Sequence, residues 1–120
     1  MKNDRSELLT LLINEGVPLS ESVLCANIWF HFGNPGEELP YFYFHHDGQG
    51  LFKTPDYEME IFWEMSEGGK ISIEMNGVKT PWAGLTYNGV FFALISEIWD
   101  DALLLFNSDG LKEQWQAFSN

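Results

Sequence analysis

Between Tyr57 and Met75 the chain alternates apolar and polar residues with a period of two, and this stretch commits it to antiparallel sheet. Successive side chains on a strand point to opposite faces. Tyr57, Met59, Ile61, Trp63 and Met65 therefore share one side, and Glu58, Glu60, Phe62 and Glu64 the other. Ser66-Glu67-Gly68-Gly69 turns the chain into a second strand, Lys70 to Met75, with Ile71, Ile73 and Met75 inward. Asn76-Gly77 then fits a two-residue hairpin turn, whose central residues need positive φ. The segment from Val78 to Trp82 reads as the next strand, broken at Pro81, which lacks the ladder donor and so implies an edge or the end of pairing.

The segments before this hairpin carry the same signals more weakly. Val23 to Phe32 reads as a strand with Leu24, Ala26, Ile28, Phe30 and Phe32 facing the core, because that parity is wholly apolar. A turn at Gly33-Asn34-Pro35-Gly36 leads to an aromatic-rich strand, Leu39 to His46. Asp47-Gly48-Gln49-Gly50 leads to a short strand, Leu51 to Thr54. Ahead of them all, Ser6 can cap a helix from Glu7 to Glu15, stopped by Gly16 and Pro18.

The last third changes period. Phe91, Leu94, Ile95, Ile98, Trp99, Ala102, Leu103 and Phe106 follow the spacing of one helical face, with Asn88 as N-cap and Asn107-Ser108-Asp109-Gly110 as stop. An alternative ends that helix near Asp101 and makes Ala102 to Phe106 one more strand. Leu111 to Phe118 fits a short terminal helix. The expected fold is one α+β domain: an antiparallel meander of five or six strands, packed with an N-terminal helix and a long amphipathic helix near the C-terminus.

Charge narrows the class of partner. Eighteen Asp and Glu stand against six Lys and Arg, a net charge of −12 on 120 residues, with no basic residue between Arg5 and Lys53. A hydrophobic fraction of 45% separates this chain from disordered acidic tails, which cannot bury enough apolar area to offset ordering entropy. Nucleic acid and anionic membranes are disfavoured as ligands, since both are bound through clustered Lys and Arg. The N-terminus lacks a signal-peptide pattern, and no apolar run reaches the ~20 residues that span a bilayer. Cys25 is the only cysteine and can form no internal disulfide; its apolar flanks suit a buried, inert thiol. A cytoplasmic protein is expected.

No catalytic or cofactor signature is present. No nucleophile stands in a recognisable context, and the glycine pairs Gly68-Gly69 and Asn76-Gly77 belong to hairpins rather than phosphate-cradling loops. His45, His46 and Asp47 are the one metal-like cluster, but neighbours on a strand point apart, so His45 and His46 do not share an ion. No metal, no cofactor and no enzymatic activity are expected. The expected partner-binding residues are Glu58, Glu60, Glu64 and Glu74 on the strands, with Glu97, Asp100 and Asp101 as a second acidic ridge; Trp63 and Trp99 read as core. Like charges this close repel, and a purely structural sheet face would interleave lysines. The resulting expectation is a small acidic protein that neutralises a basic partner protein, as an immunity protein or antitoxin does a nuclease-type toxin. The alternatives are a phage-encoded nucleic-acid mimic, from the same class of proteins, a small secretion chaperone and, least favoured, a carboxylate-dependent hydrolase.

Overall fold

The computed structural model describes residues 5–33, 35–98 and 101–119. Helix α1 (Arg5–Glu15) is followed by the two-residue strand β1 (Val17–Pro18) and the single turn α2 (Glu21–Leu24). Eight strands come next: β2 (Ile28–His31), β3 (Tyr41–Phe44), β4 (Gln49–Lys53), β5 (Glu58–Met65), β6 (Lys70–Met75), β7 (Val78–Tyr87), β8 (Phe91–Ser96) and β9 (Ala102–Phe106). Helix α3 (Ser108–Ser119) ends the chain. Each strand from β2 to β9 pairs antiparallel with the next, and β9 returns to β2 at Phe30↔Phe106 and His31↔Leu105. The sheet is thus a closed eight-stranded up-and-down barrel, with β1 added outside on β7. Closure removes the exposed edges that an open meander would leave.

Ten-residue β7 makes the closure possible. Its Val78–Ala83 half pairs with β6 and its Trp82–Tyr87 half with β8, the stagger that lets tilted strands close into a ring. Pro81 does not end the strand. Its carbonyl accepts the Glu97 N–H at 3.4 Å, so its imide nitrogen faces the same flank, where the β8 ladder has already stopped at Ser96. No ladder bond is lost. Asn76 and Gly77 take φ of 53° and 77°, as their hairpin requires.

The expected open meander with a long helix over Phe91–Phe106 does not form; two strands, β8 and β9, occupy that stretch. The apolar spacing misleads because β8 is buried on both sides. Phe92 and Leu94 point into the barrel with Trp29, Ile61 and Leu105, whereas Phe91 and Ala93 lie under the helices with Leu8, Leu12 and Leu111. A strand covered on both faces loses its alternation, and a continuous apolar run fits a helical period equally well. The expected helix stop at Asn107 is the cap of α3 instead: its Oδ1 accepts the Gly110 N–H at 2.8 Å.

The Val23–Phe32 strand is corrected in extent and in parity. Ser20 caps α2 by accepting the Val23 N–H, and only Ile28–His31 is extended. Trp29 is fully buried inside the barrel, while Ile28 is 42% exposed. The indole decides the register: Trp29 Nε1–H donates to the Leu24 carbonyl at 2.8 Å, so the ring is buried with its polar atom satisfied. Phe30 packs outside, in the cluster beneath the helices. Helix α1 forms where expected but starts at Arg5, so Ser6 lies in its first turn instead of capping it; its Leu8 and Leu12 dock on the outer side of the sheet. No described helix is long and apolar enough to cross a membrane.

Candidate functional site

Side chains of β4, β5, β6 and the Val78–Pro81 part of β7 that point away from the interior form one outer face, whereas Leu85 and Tyr87 farther along β7 pack with Leu8 and Leu12 of α1. Along β5 it presents Glu58, Glu60, Phe62 and Glu64, all exposed. The ladder sets their neighbours. Glu58 stands across from Lys53, Glu60 from Leu51, Phe62 from Glu74, and Glu74 from Lys79. Glu64, Ser72 and Pro81 share a row that the Glu97 N–H extends across β7, and Glu64 and Glu97 line the same shallow groove over Ser72 and Pro81. Of the second acidic ridge read from the sequence, Glu97 therefore joins the strand face. Asp101 is exposed where β9 begins, and its carboxylate accepts the Ala102 N–H at 2.8 Å. Asp100 and Trp99 lie outside the described residues.

Lysines do interleave this face, contrary to the sequence reading. Lys79 Nζ lies 3.7 Å from Glu64, and Lys70 Nζ lies 3.4 Å from Glu97. Exposed pairs of this kind contribute about 0–1 kcal/mol each, so they temper the negative potential more than they stabilise the sheet. They also depart from the uninterrupted anionic row of a nucleic-acid mimic. At the centre Phe62 is 42% exposed, an aromatic ring surrounded by Glu60, Glu64 and Glu74. The sequence placed Phe62 on the outer parity but gave no sign that the helices would cover a different side of the barrel.

The barrel is filled, not hollow. Trp29, Phe44, Phe92, Ile61 and Leu105 are buried in its middle, and Leu24 of α2 plugs the end from which β2 starts. At the opposite end, among the loops that follow β2, β4, β6 and β8, a recess of about 170 Å³ remains, walled by Phe42, Ile73, Met75, Thr80, Trp82 and Leu103. A space of this size takes a single apolar ring and little more. Beside it His31 packs against Phe42 and Phe52, with ring centroids 6.0 and 6.3 Å apart, and burial pushes its imidazole below the ordinary pKa. With two aromatic faces around it, this half-buried histidine is a core residue of the barrel mouth.

At the plugged end a second group of side chains converges. Glu21 opens α2 and Cys25, one helical turn later, is its C-cap, and His46 reaches them from the turn between β3 and β4; their ligand-type atoms all fall within 4.8 Å of one another. Cys25 is half-buried rather than enclosed in an apolar run. Burial, and then the charge of Glu21, push its thiol pKa up. His45, by contrast, turns to Tyr43, with ring centroids 4.4 Å apart. The sequence signal for this group was the four-residue spacing of Glu21 and Cys25 behind the Ser20 cap, hidden once Val23 onward is read as strand. The chain matches no protein-family model, no curated protein and no solved structure.

Proposed function

We propose that this chain is a binding protein that engages a basic protein through the outer face of β5 to β7, as an immunity protein or antitoxin covers the cationic surface of a nuclease-type toxin. One observation carries the reading: Glu58, Glu60, Glu64, Glu74 and Glu97 share a single uncovered face around the exposed ring of Phe62. Surplus negative charge speeds encounter with a cationic partner, and an aromatic anchor at the centre of the patch slows release. The net charge of −12 extends the attraction beyond the contact itself.

Co-expression with the basic product of the neighbouring reading frame tests this. Growth should be restored, and the association rate of the purified pair should fall steeply as salt rises. Reversal of Glu58, Glu60 and Glu64 to Lys should slow association by on the order of tenfold or more, whereas Glu113→Lys, on α3, should leave it unchanged. An association rate indifferent both to salt and to the triple reversal would refute the assignment.

A further inference from the structure

We propose that Glu21, Cys25 and His46 form a binding site for a borderline-soft divalent cation of the zinc type. The three donors are a carboxylate, a thiol and an imidazole, a set that favours zinc over the hard, oxygen-seeking magnesium and calcium ions. They come from two elements distant in sequence, α2 and the β3–β4 turn, and meet within 4.8 Å. A tetrahedral ion with bonds of about 2.0–2.3 Å sets its donors about 3.5 Å apart, so closing on a metal takes roughly 1 Å of side-chain movement. Exposed Glu21 and His46 have room for that rotation.

The scaffold beneath them is held. Ser20 caps α2, Leu24 is fully buried, and the Trp29 indole donates to the Leu24 carbonyl directly before Cys25. In the facing turn the His45 N–H donates to the Gln49 carbonyl at 2.8 Å, and the Asp47 carboxylate accepts the Gln49 N–H at 3.0 Å. Three protein ligands leave a fourth position for water or for a donor from a partner. Binding would displace the thiol proton and tie α2 to the β3–β4 turn across the plugged end of the barrel.

Titration of the reduced protein with Co²⁺, then displacement by Zn²⁺, tests the site. One ion per chain is expected, with a thiolate-to-cobalt charge-transfer band, tetrahedral visible bands and a thermal midpoint raised by Zn²⁺. Cys25→Ser should abolish the charge-transfer band. His46→Gln should weaken Zn²⁺ by more than the roughly 10- to 100-fold that loss of an outer partner costs, and His45→Gln should change nothing. Circular dichroism of each variant separates a lost ligand from a lost fold. Absence of the charge-transfer band in the wild-type protein would overturn the proposal. So would equal binding of Mg²⁺ and Zn²⁺, or equal effects of His45→Gln and His46→Gln.

Discussion

Replacing Trp29 by Phe isolates the one polar contact that fixes how β2 enters the barrel. Trp29 is fully buried, its ring meets Phe92 edge-on at 4.6 Å, and its indole N–H supplies the Leu24 carbonyl at 2.8 Å. Phenylalanine preserves an aromatic ring but brings no donor. The carbonyl left without it costs about 1–3 kcal/mol, the usual penalty for a buried unsatisfied group. The smaller ring leaves a void of roughly 40 Å³, which at about 24 cal/mol per Å³ adds ~1 kcal/mol. The sum, about 2–4 kcal/mol, is a large share of the ~5–15 kcal/mol that holds a domain together. At about 2.1 cal/mol/K of unfolding entropy per residue, 120 residues lose roughly 4 °C per kcal/mol, so the midpoint should fall by about 8–16 °C.

Trp63→Phe supplies the comparison. Trp63 is 7% exposed, and its indole donates at 2.9 Å to the Gln49 carbonyl, which also accepts the His45 N–H at 2.8 Å. The same void forms, but the carbonyl keeps the His45 N–H, and the cost should be close to ~1 kcal/mol. Urea unfolding of both variants, with unchanged m-values, reads the difference directly. A Trp63→Phe penalty equal to that of Trp29→Phe, or a Trp29→Phe penalty under about 1 kcal/mol, would show that the Leu24 carbonyl does not depend on the indole.

Two further outcomes test other parts of the barrel. Gly69 sits at φ +80° with the Gly84 carbonyl 2.6 Å and the Leu19 nitrogen 2.9 Å from where a Cβ would stand, so Gly69→Ala should break the Leu19–Gly84 hydrogen bond and cost at least about 2 kcal/mol. Gly68→Ala, with φ +77° in open space, should cost only about 1 kcal/mol; equal penalties for the pair would refute the clash. Burial holds His31 below its ordinary pKa of 6.5, so the unfolded chain binds its proton first as pH falls. The stability tied to neutral His31 is complete above pH 6.5 and is lost as pH drops below it toward the folded-state value. The wild type should therefore lose more stability than His31→Gln between pH 8 and pH 5, and parallel pH profiles would remove the histidine from the account.

The sequence by itself determined the parts of this protein in which one face meets water. In β5 and β6 the outer side chains are solvated, so the alternation from Tyr57 to Met75 survives and the inward set Ile61, Trp63, Ile71 and Ile73 was legible, as was the Asn76-Gly77 turn. The same alternation placed Glu58, Glu60, Glu64 and Glu74 on the outside. In β2, β8 and β9 both faces are covered, one by the barrel interior and one by α1 and α3, and local pattern no longer distinguishes strand from helix or one parity from the other. Ring closure through Phe30↔Phe106 joins segments some seventy-five residues apart, and nothing local encodes it. Tertiary structure alone brought Glu97 onto the face of Glu64, paired it with Lys70, and carried His46 to Glu21 and Cys25. Each of these meetings depends on which strands become neighbours, and in a barrel that is decided by the whole ring at once.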